Sequence, residues 1–276
     1  MKAINATSAK NNEEAIMPSA TVNGATLSYQ WDGTETKPVL VLSNSLTTDM
    51  RMWEPLLPAF TEHFRVLRYN NRGHGGSSSP AGEYTMNDIA GDALALMDYL
   101  DIPTAQFCGL SMGGMVGMWL GLHAPERVQK LIICNTSSDV GSPEPWTARI
   151  EAIKNGGMAA IEEAGVERFL SEEYRSTGGS AVGMVRAMLL DCDVEGYCGC
   201  IAAVRDMSLT DQLSQITNEV LVIAGEVDFA TPVSHSEIIV DRIPGAKLTV
   251  IPGVSHLSCA EKPEEFSRIV LDFLKN

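Results

Sequence analysis

Ser111, Asp228 and His256 have the types, and follow one another in the order, that acyl transfer to a serine hydroxyl requires. Ser111 lies in Gly109-Leu110-Ser111-Met112-Gly113, between an apolar strand-like run (105–108) and a helix-like run (115–122). A G-x-S-x-G in that setting is a nucleophile elbow. The turn is so tight that small residues must flank the serine, and the hydroxyl projects from the top of a sheet at a helix N-terminus. A serine hydroxyl is a poor nucleophile at neutral pH, so it needs an adjacent base, and the base needs an orienting acid. Of the 5 histidines, His256 is the base by position, in Gly253-Val254-Ser255-His256 just after the last strand-like run. His235 also follows Asp228, but only seven positions on and inside a helix, and reads as a surface histidine. His74 precedes the elbow and reads as shaping its own turn. Asp228, on the loop after the run EVLVIA, is the acid, because its short side chain suits a fixed hydrogen bond to imidazole. Glu226 reads as solvated, and Asp139, after the preceding strand, is the second choice of acid.

The oxyanion of the tetrahedral intermediate needs two donors. One is the backbone N–H of Met112, the residue after the nucleophile. The other belongs to the loop Ser43-Asn44-Ser45-Leu46-Thr47-Thr48, with Ser45 the donor by position. Asn44 departs from the His-Gly that such loops more often carry. An aspartate at 111 would suit alkyl-halide or epoxide opening; serine points to acyl transfer.

Positioning these groups takes alternating strands and helices. Strands are expected at 25–31, 38–43, 65–69, 106–110, 130–134, 219–224 and 247–251. Apolar residues at Ile89, Ala93, Leu96 and Met97 have helical spacing over 88–100, and a last helix is expected over 263–274. Between 139 and 212 the strand rhythm stops and the chain reads as mostly helical. The expected fold class is therefore α/β: a doubly wound, mostly parallel sheet built from 21–138 and 213–276, with a helical cap inserted at 139–212. Residues 1–20 read as a disordered tail without the apolar core of a secretory signal.

Composition narrows the function. With 45% hydrophobic residues in 276, the chain can bury a large core. A net charge of −15 argues against nucleic acid or an anionic membrane as partner, though not against a small anion that meets a few local cations. No run approaches the roughly 20 apolar residues of a membrane helix. The 6 cysteines lack the paired spacing of a disulfide framework, and Cys198-Gly199-Cys200 has no further ligands nearby to complete a metal site, which fits reduced thiols in a cytoplasmic protein.

The assembled motifs resemble the α/β-hydrolase superfamily and, within it, the 3-oxoadipate enol-lactonases of aromatic catabolism. The resemblance runs through VLSNSLTTDMRMWEP (41–55), HFRVLRYNNRGHGGSS (63–78), FCGLSMGGMVGMWLGLHAPERV (107–128), CNTSSDVGSPEPWTARI (134–150) and SHLSCAEKP (255–263). Two positions depart from it. Thr47 stands where glycine usually continues the SNSL loop, and Asn71 where Asp or Thr commonly precedes Arg-Gly-His-Gly. The resemblance implies hydrolysis of a small carboxylated lactone through an acyl-enzyme, without cofactor or metal. It also implies that Trp146 walls the pocket and that Arg149 holds the substrate carboxylate, with Arg168 further along. A carboxylesterase or another lactonase, a cofactor-free perhydrolase, or a binding protein that has lost catalysis are the alternatives that the same residues leave open.

Overall fold

The computed structural model describes residues 17–275. Most of the expected N-terminal tail lies outside the described residues, but Ser19 and Ala20 belong to a strand, β1 (Ser19–Val22). β1 pairs antiparallel with β2 (Ala25–Asp32) through the turn Asn23-Gly24, both residues at positive φ, the geometry of a two-residue hairpin. Only Ala20 of β1 is buried, so apolar patterning does not reveal it.

β3 (Val39–Ser43), β4 (Arg65–Tyr69), β5 (Ala105–Leu110), β6 (Val128–Cys134), β7 (Glu219–Gly225) and β8 (Lys247–Ile251) occupy the remaining expected strand runs. The eight form one sheet in the order β1-β2-β4-β3-β5-β6-β7-β8. β2 pairs antiparallel with β4, and every neighbouring pair from β4 to β8 is parallel. The central strands read as unbroken apolar runs because both sheet faces are covered. Val41, Phe107, Leu131, Ile133 and Val222 face one apolar cluster; Leu40, Leu42, Cys108, Ile132, Cys134 and Ile223 face the other.

The elbow helix (Met112–His123) and the helix Met86–Tyr99 cover the first face, and the last helix (Pro263–Lys275) lies on the second. The helix Met86–Tyr99 starts two residues before the expected 88. Thr85 accepts the N–H of Asp88 at 3.2 Å, and the Asp88 carboxylate accepts the N–H of Thr85 at 2.8 Å, a capping box that satisfies both donors.

Between β6 and β7 the chain runs through the helices Glu144–Gly156, Glu162–Phe169, Ala181–Leu190 and Val194–Arg205. A bridge between Asp139 and Ser208 closes the neck of this segment. The helix Val194–Arg205 sits directly on the turn after β4: Gly73 O accepts from Asp193 N at 3.1 Å, and a Cβ on Gly196 would lie 2.2 Å from the Gly73 Cα. Two backbones meet there with no room for a side chain. Among the described residues no helix is long and apolar enough to cross a membrane.

Gly196→Ala is expected to lower the unfolding free energy by about 2–3 kcal/mol, because rotamer adjustment cannot relieve a clash with backbone. Gly183→Ala is the control. It lies inside the helix Ala181–Leu190, where an added methyl would meet nothing within 4 Å, and should be neutral or stabilising by up to about 1 kcal/mol. Urea titration of both variants measures the difference.

Candidate active site

Ser111 occupies the turn between β5 and the elbow helix at φ 56°, ψ −114°, a conformation that costs free energy for any residue with a side chain. Three bonds hold it there. Its N–H donates to Cys134 O at 2.8 Å, and its carbonyl accepts from Met115 N at 3.0 Å and Thr136 Oγ1 at 2.7 Å. Gly113 lets the elbow helix approach β3: a Cβ there would lie 2.0 Å from Ser43 O. The tight, small-flanked turn expected from the motif is present.

His256 and Asp228 meet across the loops after β8 and β7. His256 Nδ1–H donates to Asp228 Oδ2 at 2.8 Å, which leaves Nε2 as the basic nitrogen. The same oxygen accepts from Thr231 Oγ1 at 2.8 Å and Asn135 Nδ2 at 3.1 Å, and Oδ1 accepts from the N–H groups of Ala230 (2.8 Å) and Thr231 (3.0 Å). Burial alone would raise the pKa of Asp228, but the His256 charge and these donors outweigh it and bring it down to about 2. Phe169, from the helical segment, stacks on the His256 ring at 5.6 Å.

Asn135 is the site residue that sequence reasoning missed. It follows β6 at φ 44°, a left-handed conformation that Asn tolerates better than most residues. Besides Asp228, its amide donates to Ser255 O at 3.3 Å and its carbonyl accepts from Ser258 Oγ at 2.7 Å. The available signal was an Asn at the C-terminal end of a buried strand. Asp139, the second choice of acid, does not reach the imidazole. Its carboxylate accepts from Gly141 N at 2.7 Å and Ser208 Oγ at 2.8 Å instead. Glu226 is exposed and accepts from Gly253 N.

Ser111 and His256 line one cavity of about 300 Å³, together with Ser45, Met112, Trp146, Arg149 and Arg168. Met112 opens the elbow helix, where the backbone N–H has no intrahelical partner. Ser45 sits in a loop anchored by Asn44, whose amide donates to Tyr69 O at 2.8 Å and whose carbonyl accepts from Trp53 Nε1 at 2.8 Å. The departure at Asn44 is thus a fully bonded buried amide.

His235 also lines the cavity, with Nδ1 buried and without a hydrogen-bond partner, which corrects its reading as a surface histidine. The helix that follows Asp228 turns its first turn inward. Among the described residues the ionisable cavity lining is Arg149, Arg168, His235 and His256, and no Asp or Glu. Among the described residues neither arginine is paired with a carboxylate. Arg149 lies over the Tyr197 ring at 5.5 Å, and its Nε is buried and unpartnered. Burial, and then the like charge of Arg149, lower the pKa of Arg168. The lining thus offers a hydroxyl and an imidazole to a carbonyl and two guanidinium groups to an anion.

The depressed pKa of Asp228 carries a linkage. The folded value, about 2, lies below the ordinary 3.8, so its stabilisation is complete above the ordinary value and is lost as pH falls from about 4 to about 2. The shift corresponds to roughly 2 kcal/mol. Asp228→Asn is expected to be less stable than wild type at pH 6 and to converge toward it near pH 2.5, read by urea titration at each pH.

Comparison with known proteins gives this geometry relatives. Residues 38–163 match the model of the alpha/beta hydrolase fold family. A 3-oxoadipate enol-lactonase of Acinetobacter baylyi is 34% identical over 92% of this chain and 95% of its own. A hydrolase from Pseudomonas aeruginosa superposes with a TM-score of 0.92 at 42% identity, covering 96% of this chain and 100% of that one. An enol-lactonase from Burkholderia xenovorans superposes with a TM-score of 0.91 at 38% identity, covering 94% and 100%. The chain belongs to the α/β-hydrolase family and, within it, is similar to the 3-oxoadipate enol-lactonases.

Proposed function

We propose that the protein hydrolyses a small lactone carrying a free carboxylate, 3-oxoadipate enol-lactone being the compound its relatives' names point to, through an acyl-enzyme on Ser111. The observation that carries this reading is the cavity itself: among the described residues Ser111 and His256 share it with two arginines that no carboxylate pairs, and with no acid, in a chain of net charge −15. A random sample of this surface would be acidic, so the local cations imply an anionic ligand.

Ser111 Oγ bonds to the lactone carbonyl carbon while its proton passes to His256 Nε2. The N–H groups of Ser45 and Met112 hold the resulting oxyanion. As the carbonyl re-forms, the ring C–O bond breaks and the leaving enolate oxygen takes the proton from the imidazolium; the enol then relaxes to a ketone. Water, giving its proton to His256, attacks the acyl-enzyme, and Ser111 leaves with that proton. Asp228 keeps the imidazole oriented and stabilises its charged form. The product is a dicarboxylate. The helical segment 139–212 acts as a cap: Trp146 walls the pocket and Arg149, with Arg168 beside it, takes the pre-existing carboxylate.

The test is turnover of 3-oxoadipate enol-lactone and of p-nitrophenyl acetate by wild type, Ser111→Ala and Arg149→Ala. The lactone should be strongly preferred in kcat/KM, and Ser111→Ala should lose at least about 10³-fold on both substrates. Arg149→Ala should raise KM for the lactone about 10-fold or more, with a much smaller effect on the neutral ester. Ester turnover without lactone turnover would move the substrate elsewhere, and an unchanged lactone KM would remove Arg149 from the carboxylate site.

A further inference from the structure

The loop that carries Ser45 contains a second strained residue. Thr47 sits at φ 70°, in the left-handed region where a β-branched side chain is a genuine outlier. It is 1% exposed and lines the same cavity as Ser45 and Ser111. Its hydroxyl donates to the neighbouring Leu46 O, a local bond that does not tie the loop to the rest of the fold. Beyond the anchor at Asn44, the backbone of Thr47 supplies a tie of its own: Thr47 N–H donates to His74 Nε2 at 3.0 Å.

His74 is built for that single acceptance. Its ring is 1% exposed, and Nδ1–H donates to Arg72 O at 2.9 Å, which leaves Nε2 as the acceptor. Burial lowers its pKa, against the raising effects of the Arg72 carbonyl and the charges of Asp49 and Asp193, and this favours the neutral form that can accept. Its own turn is closed by His74 N to Asn71 O at 3.0 Å and Ser77 N to His74 O at 2.9 Å. Tyr197, from the helix Val194–Arg205, packs against the ring at 6.4 Å. Ser45 O meanwhile accepts from Thr48 N at 3.2 Å and Thr48 Oγ1 at 2.8 Å, so the strained Thr47 lies inside the turn that orients Ser45.

We propose that His74 is the positioning residue of the oxyanion loop: its Nε2 holds the Thr47 N–H, and with it the turn that presents the Ser45 N–H to the cavity. The proposal rests on the assignment of Ser45 as an oxyanion donor. Without the acceptor, a buried N–H is orphaned and the strained turn loses the bond that stabilises it. The oxyanion exists only after attack on the carbonyl, so a displaced loop lowers kcat and leaves KM nearly constant.

Two substitutions separate the two ring nitrogens. In His74→Asn the amide reaches the Nδ1 position and can keep the bond to Arg72 O, but nothing occupies the Nε2 position. In His74→Gln the longer amide reaches Thr47. The readouts are kcat and KM for p-nitrophenyl acetate, the Ki of a trifluoromethyl ketone that adds to Ser111 as a hemiketal anion, and Tm. His74→Asn should lower kcat about 10–100-fold and raise the ketone Ki by a similar factor, with KM within about two-fold, and His74→Gln should recover most of the loss. Adding Thr47→Gly to His74→Asn should also recover activity, because glycine adopts positive φ without strain and no longer needs the restraint. If His74→Asn does not fold, His74→Phe carries the same expectation.

A folded His74→Asn with kcat and ketone Ki within two-fold of wild type overturns the proposal. So does a loss that His74→Gln shares in full and that follows Tm rather than the ketone Ki, since that is a structural role. Ester turnover that survives Ser111→Ala overturns the Ser111 reading itself. Turnover lost in Ser111→Ala but intact in His74→Asn overturns the positioning role alone.

Discussion

The buried carboxylate of Asp228 ties together the ends of three strands. Asn135 reaches it from the end of β6, Ala230 and Thr231 from its own loop after β7, and His256 from the loop after β8. An ionised carboxylate in a 3% exposed position is tolerable only because every oxygen is occupied by donors. The same bonds that stabilise the charge fix the His256 tautomer and the path of both loops. Asn135 extends the network to Ser255 and Ser258 on either side of His256, so the imidazole cannot drift without breaking bonds on two loops.

The sheet order brings the remaining parts to this network. β3 lies between β4 and β5, so the chain leaves the sheet in opposite directions on either side of it. At that switch point the loop after Ser43 and the elbow after Leu110 open side by side, with Gly113 against Ser43 O. Both carry residues at positive φ, Thr47 and Ser111, and both are held by bonds from outside themselves: Thr47 from His74, Ser111 from Cys134 and Thr136. The strain is local and the restraint comes from neighbouring strand ends, which is how a rigid scaffold holds unfavourable geometry at a site.

The helical segment completes the cavity with charge of the opposite sign to the molecule. Overall charge acts over distances that salt screens within roughly 10 Å, whereas Arg149 and Arg168 act at contact range inside a half-enclosed space. The close backbone contact of Gly196 with Gly73 seats this segment on the turn that holds His74, so the packing of the segment and the loop geometry share one support.

Much of this was legible in the residues. The central strands announced themselves as unbroken apolar runs, because a sheet covered on both faces demands them, and the elbow announced itself through the small residues its turn requires. The order Ser111, Asp228, His256 followed from the positions of loops after strands. β1 was hidden because a half-exposed edge strand needs little apolar character. Asn135, the bond from Ser208 that engages Asp139 elsewhere and the hold of His74 on Thr47 were hidden for another reason. Each depends on which loops lie within about 3 Å of one another, a range set by hydrogen bonding between segments far apart in the chain. Local patterning alone thus marked seven of the eight strands, the helical segment between β6 and β7, and the order in which Ser111, Asp228 and His256 follow their strands. Only the tertiary structure decided which donors surround them, because a hydrogen bond between distant residues has no signature in the sequence around either one.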